Sequence, residues 1–353
     1  MPDIMNNADI AFPHLGIYLQ NVPKQFTVFG YTITLYAVII TLGAWLAVCL
    51  CERVAKSLGR NGEIYWDVFL PLMILSVIGA RIYYVIFMWD TVYKYNPVEV
   101  LYIHHGGLAI YGGVLTGFAV LAVFAKIRKV SFLEISDMIM HGLLLGQILG
   151  RWGNFTNREA FGQYTDSLFA MRLPIAAVRS SDISESIAAH ITAGTNYIQV
   201  HPTFLYESAW NLMLLILMLL YVKHKRFEGE MTLIYLGGYG LGRAIIESLR
   251  TDQLLIPGTA IPVSLVLGLC MLAFAVIVEI VVRSRLAGKA KEEGKEALEV
   301  PEEEAGEAAE KELVEEPVEE TGEESTEKSA GDAEESEGDT EEDSEEIEED
   351  PKE

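Results

Sequence analysis

Seven stretches of the chain are nearly free of charge, and each is about long enough to cross a bilayer, which takes roughly 20 helical residues at ~1.5 Å each. Val28–Leu50 and Gly106–Ala125 carry no charged residue, and Val68–Met88 carries only Arg81. Phe204–Val222 holds Glu207, Met231–Leu249 holds Arg243 and Glu247, and Ile261–Val282 holds Glu279. Ile135–Asn154 is the most polar of the set, interrupted by Asp137, His141 and Arg151. In lipid the backbone must satisfy its own hydrogen bonds, so continuous runs of this kind read as helices. The pattern predicts an all-α integral membrane protein with about seven transmembrane helices.

Lysine and arginine in the connecting segments orient these helices. Arg53, Lys56 and Arg60 follow the first, Lys126, Arg128 and Lys129 the third, and Lys223, Lys225 and Arg226 the fifth; Arg283 and Arg285 follow the last. The N-terminal segment offers only Lys24 and the second loop only Lys94. The expected N-terminus is therefore outside and the C-terminus cytoplasmic, an arrangement that an odd number of spans closes without contradiction. Residues 1–27 make an extracytoplasmic segment with no signal-peptide pattern, so the first helix is expected to be retained. Residues 28–285 form the membrane domain, with one long extracytoplasmic loop at 155–203, long enough to have structure of its own.

Charge adds a separate tail. From Lys289 to Glu353 there are 31 acidic residues and 6 lysines, so the net charge of −24 for the whole chain belongs almost entirely to this stretch. Rich in Glu and free of aromatic residues, residues 289–353 are expected to be a disordered acidic cytoplasmic tail, and no partner for it is evident. The remainder is near neutral, which gives no electrostatic reason to expect nucleic acid. Cys49, Cys51 and Cys270 sit in or beside apolar runs without metal-ligand spacing and are expected to be buried thiols. No metal or cofactor is implied.

Ionisable residues inside a membrane are costly and usually face a cavity with a task. Tyr239, Arg243 and Glu247 recur every four residues and so share one helix face. Arg151 and Asn154 lie three apart at the end of the fourth helix. The fifth opens on His201-Pro202 and carries Glu207 a little deeper, and the third begins with Gly106-Gly107 and Gly112-Gly113 around Tyr111. An Arg–Glu pair can simply neutralise itself, and glycines can simply pack helices. The convergence of several such groups on one leaflet instead implies a polar pocket open to the outer side. Arginine's planar fork suits phosphate, and the phosphate available there is a phospholipid head group. A transporter would spread polar positions through both leaflets, whereas here the inner halves are nearly clean; a non-catalytic lipid-binding scaffold is the third reading.

Gly150-Arg-Trp-Gly-Asn-Phe-Thr-Asn-Arg-Glu159, followed by Gly162, resembles the signature of the prolipoprotein diacylglyceryl transferases, GR-x-[GA]-N-F-x-N-x-E-x-x-G. His201-Pro-Thr-Phe-Leu-Tyr-Glu207 is similar to the family's HPxxLYE, and Tyr239 to Glu247 to its YGxxRxxxE. The likeness covers about residues 28–285. It implies an enzyme that moves the diacylglyceryl group of phosphatidylglycerol to the cysteine thiol of prolipoproteins in the bacterial cytoplasmic (inner) membrane. The implied products are a thioether and glycerol phosphate. Arg151 and Arg243 would hold the phosphate, Asn154 would orient the head group, and Tyr36 and Tyr239 would bond lipid oxygens. Glu159 and Glu247 would position the arginines. His201, Glu207 and Gly162 are expected to be structural. Tyr111 stands where many members carry histidine, and is expected to serve the thiol or the phosphate chiefly as a hydrogen-bond donor.

Overall fold

The structure, a computed structural model, describes residues 6–103, 106–192, 194–251 and 253–296. Among them six helices are long and apolar enough to cross a membrane: α1 (Leu35–Ser57), α2 (Ile64–Phe87), α3 (Ile110–Arg128), α4 (Phe132–Asn157), α6 (Thr203–Tyr221) and α8 (Val263–Glu296). The segment expected as the sixth span forms α7 (Glu230–Glu247), a helix of 18 residues. It carries Glu230, Arg243 and Glu247, and by composition falls short of that standard. The last described residues are the closing turns of α8; the acidic tail lies outside the described residues from 297 onward.

The molecule is mostly helical rather than all-α. Strands β1 (Asn7–Phe12) and β2 (Ile17–Pro23) join β5 (Met171–Pro174) and β6 (Tyr197–Val200) in one antiparallel sheet of order β2-β1-β5-β6. The N-terminal segment is thus half of a small domain whose other half is the long loop, which also holds the short helix α5 (Glu185–Ala188). Ile10, Phe12, Leu173, Ile198 and Val200 fill its core against Phe161 and Phe204. The strand period shows in β1, which turns Ala8, Ile10 and Phe12 inward, and again in the four-residue β5 and β6, which bury Met171 and Leu173, and Ile198 and Val200.

The expected first span starts too early. Residues 25–34 form a hairpin of β3 (Gln25–Val28) and β4 (Tyr31–Thr34), closed by Phe29 and Gly30 with φ of 50° and 83°. Two positive φ values in a two-residue loop match the twist of the flanking strands. Helix α1 begins only at Leu35, where Thr34 Oγ1 accepts the amide of Ala37 at 3.2 Å as an N-cap. The expected third span also starts late, at Ile110: Gly106 and Gly107 lie before it with φ of 89° and 77°. There Arg81 on α2, buried, donates to the carbonyls of Glu99, Val100, Tyr102, Gly106 and Gly107 at 2.6–3.4 Å. Gly112 lets α3 lie directly on α2, since an added Cβ would meet Gly79 O at 2.5 Å.

Helix α4 is the axis of the helical body and packs against α1, α3, α6 and α7. Its low hydropathy follows from that position, because its polar residues face protein rather than lipid. Asp137, fully buried, accepts from the amides of Gly229 and Thr232 at 2.9 Å and pairs with Lys225 at 3.1 Å, which anchors the start of α7. The expectation of three buried thiols holds for Cys51 alone; Cys49 is half-buried and Cys270 is exposed on α8.

Candidate active site

Four chain segments meet at one end of the helical body: the end of α4, the start of α6, the end of α7 and the residues just beyond it. Trp152 and Phe155 of α4 pack edge-on or tilted against Phe204 of α6, and Trp152 Nε1 donates to Ser208 Oγ at 3.2 Å. This aromatic seam fixes α4 against α6 and brings Arg151 to Glu207, with Nη2 to Oε2 at 2.5 Å. The same carboxylate lies 3.1 Å from Arg250 Nη1 and 3.4 Å from Arg243 Nη1. Arg243 Nη2 in turn lies 2.8 Å from Glu247 Oε2, one turn along α7.

Burial sets the electrostatics. Glu207 is 4% exposed and Glu247 2%, so each must have a counter-charge to remain ionised. Glu207 offers two oxygens to three guanidinium groups. A guanidinium has five N–H donors, so Arg151 and Arg243 retain donors beyond those that face the carboxylates. Each also keeps about a fifth of its side chain accessible.

Arg151 lines one end of a cavity of about 520 Å³. Tyr36, Asn154 and Gly150 share that end, and Cys51, Tyr65 and Val68 line the other. From Tyr36 to Cys51 the cavity follows α1 for roughly 22 Å at the helical rise. Its walls, from α1, α2 and α4 with Ile110 of α3, are mostly apolar. Tyr36 reaches that first end because Gly153 has no side chain: an added Cβ would lie 2.6 Å from the tyrosine ring.

The remaining expected residues divide into two groups. Tyr239 stacks on Tyr235 with ring centres 5.5 Å apart, on the α7 face that also carries Arg243. Glu159 touches neither arginine of the expected clamp. It accepts from Asn154 Nδ2 at 3.3 Å and Asn157 Nδ2 at 3.0 Å and pairs with Arg179 at 3.2 Å, so it holds the asparagine instead. Tyr111 is 37% exposed and is not among the cavity-lining residues, although its neighbour Ile110 is.

His201 and Gly162 stitch the loop to the helices. Gly162 donates its amide to His201 O at 3.0 Å, His201 its own to Gln163 O at 3.0 Å, and Gln163 its own to Leu249 O at 2.8 Å. A Cβ on Gly162 would meet Leu249 O at 2.6 Å, so only glycine fits. The His201 ring lies 3.3 Å from the Tyr206 hydroxyl, and burial pushes its imidazole below the ordinary value, which keeps it neutral at neutral pH. Sequence reading misjudged one feature and missed another. Glu207, expected to be merely structural, is the hub of the cluster. Arg250 was not singled out at all; its one signal is its place three residues after Glu247.

These features define a multi-pass membrane protein whose buried arginine–glutamate cluster opens onto a long apolar cavity. The family model described as prolipoprotein diacylglyceryl transferase matches residues 23–281, and the chain belongs to that family of transferases. It is 41% identical over 224 residues to the phosphatidylglycerol–prolipoprotein diacylglyceryl transferase of Oceanobacillus iheyensis, across 62% of this chain and 74% of that protein. It is 35% identical to the protein of the same name in Finegoldia magna, across 72% and 93% of the two chains. For the one in Enterococcus faecalis the identity is 38%, across 73% and 89%.

Proposed function

We propose that the chain transfers the diacylglyceryl group of phosphatidylglycerol to the cysteine thiol of prolipoproteins. The observation that carries this reading is the position of Arg151, which offers guanidinium donors at one end of an apolar cavity. A phospholipid has that same polarity, an anionic phosphate joined to acyl chains. The names of the relatives, which specify phosphatidylglycerol and prolipoprotein, support the choice of substrates.

In the reaction the cysteine sulfur attacks the diacylglyceryl carbon that bears the phosphate. A C–S bond forms as the C–O bond to phosphate breaks, and the electron pair leaves on glycerol phosphate. The thiol proton passes to the leaving phosphate or to water. Arg151 and Arg243 bind the phosphate and stabilise the charge that develops on it, which is where preorganised donors contribute most. Asn154, held by Glu159, and Tyr36 orient the head group; Tyr239 and Glu247 keep Arg243 in place. Tyr111 serves the thiol or phosphate as a donor at the start of α3. A cysteine thiol with pKa ~8.5 is already a few per cent ionised at neutral pH, so a strong base is not required.

The site faces the extracytoplasmic side of the bacterial inner membrane in this reading. Lysine and arginine concentrate in the α1–α2, α3–α4 and α6–α7 connections, at the end opposite Arg151. With α7 as a seventh span, shielded from lipid by its neighbours, both sidedness and topology close. Purified protein incubated with phosphatidylglycerol and a lipobox peptide tests the reaction directly. The expected result is a diacylglyceryl thioether on the cysteine peptide and none on its serine counterpart; absence of product from phosphatidylglycerol refutes it.

A further inference from the structure

The apolar cavity closes at the end away from Arg151, and two glycines one turn apart on α4 mark where. A Cβ on Gly142 would meet Cys51 Sγ of α1 at 2.5 Å and Ala47 O at 2.7 Å, whereas a Cβ on Gly146 would meet nothing within 4 Å. Helices α1 and α4 therefore touch at Gly142 and leave open space at Gly146, four residues nearer to Arg151. Val48, Cys51, Tyr65 and Val68 are buried at the closing end, while Tyr36, Arg151 and Asn154 are half-buried at the other.

Past the closed end the surroundings change. Tyr65 also lines a second cavity of about 280 Å³, which Asn61, Arg128 and Glu134 border. Only 3% exposed, Tyr65 is a partition shared by the two spaces. A hydrocarbon chain in the first cavity could go on only by displacing the tyrosine and stripping water from charged groups. The available length follows from helix geometry. An extended carbon chain advances ~1.2 Å per bond, a third of the reach of an extended residue with its three backbone bonds. The roughly 22 Å from Tyr36 to Cys51 takes about 18 bonds, of which the glycerol and ester group use a few. Ala44 and Ala47 line the same wall ~10 Å and ~6 Å short of Cys51, and their small side chains leave that length free.

We infer that the cavity measures acyl-chain length: one chain of the phospholipid lies along α1 past Ala44 and Ala47, and Tyr65, Cys51 and Gly142 stop it at about 16 carbons. This rests on the transferase reading above and adds a chain-length preference to it. The test measures kcat/KM for phosphatidylglycerols with chains from several carbons shorter to several carbons longer than that. All are presented at one mole fraction in detergent micelles, so that bilayer thickness plays no part. Wild type is expected to peak near the stated length and to lose about tenfold once the chain overruns the closed end, as an overpacked interior would. Ala47→Leu is expected to move the peak down by about five carbons and Ala44→Leu by about eight, in the order of their depth. Tyr65→Leu should relieve the loss on longer chains; Val68→Ala relieves it in the same direction should removal of the tyrosine impair folding. A flat profile in wild type, or variants that lower turnover equally for every chain without moving the peak, overturns this inference alone. No turnover of phosphatidylglycerol of any length by wild type overturns the transferase reading together with it.

Discussion

Arg151 near the end of α4 and Glu207 in α6 are 2.5 Å apart at a carboxylate that is almost completely buried. Because Arg243 and Arg250 also turn to Glu207, this one side chain gathers the guanidinium groups contributed by three parts of the chain. Glu207→Gln is expected to preserve its shape and abolish its charge, leaving three buried or half-buried cations without their shared partner. Loss of one member of such a pair costs about 3–5 kcal/mol. Thermal unfolding in detergent should show a lower Tm, and turnover should fall; Glu207→Asp should recover part of both.

Glycines near the site separate cleanly by what a methyl group would touch. Gly162→Ala is expected to destabilise by about 1–3 kcal/mol, because its Cβ would press on Leu249 O, a backbone atom that cannot swing aside. Gly153→Ala should instead displace the Tyr36 ring and lower turnover more than stability. Gly146→Ala, with nothing within 4 Å, should leave Tm unchanged or raise it slightly through helix propensity. Unfolding curves of the three variants beside their turnover check this order.

Arg81 ties the stretch from Glu99 to Gly107 to α2 through its hydrogen bonds to five carbonyls. Arg81→Met removes all of those hydrogen bonds at once. The acceptors belong to half-buried or exposed residues, so each loss is nearer the ~0.5–1.5 kcal/mol of an ordinary hydrogen bond than the full cost of burying an unpaired group. The expected outcome is a lower Tm and faster proteolysis within 99–107. Arg81→Lys should recover little, since an ammonium lacks the planar fork.

Tyr111 lies outside the cavity lining and is more than a third exposed. If its hydroxyl serves the thiol or phosphate, Tyr111→Phe lowers turnover severalfold and Tyr111→His retains most of it. The histidine variant should then follow pH around the imidazole value of ~6.5. A phenylalanine variant as active as wild type from pH ~6 to ~9, spanning the imidazole and thiol ranges, would remove Tyr111 from the mechanism.

The helical spans and the polar positions were readable along the chain because both depend on local patterns. Helices declare themselves by apolar length, and Tyr239, Arg243 and Glu247 by a step of four. The hairpin at residues 25–34 was hidden because Phe26, Val28, Tyr31 and Ile33 suit a membrane helix as well as a strand. The sheet joining β1 to β5 depends on pairing Ala11 with Arg172, a contact that no local period announces. Glu207 stood out as an intramembrane acid, but its role as shared partner did not, for the same reason: that role comes from residues on α4, α7 and beyond. Its own segment shows just one acid near a helix start.

The most direct test concerns Arg151, the group proposed to join head-group binding to chemistry. Transfer of labelled diacylglycerol from phosphatidylglycerol to a lipobox peptide is measured with wild type, Arg151→Ala and Arg151→Lys, each first shown to insert and to unfold cooperatively. The account predicts no detectable thioether from the alanine variant and a small fraction of wild-type turnover from the lysine variant, which restores charge without the bidentate fork. Wild-type turnover by Arg151→Ala would contradict it.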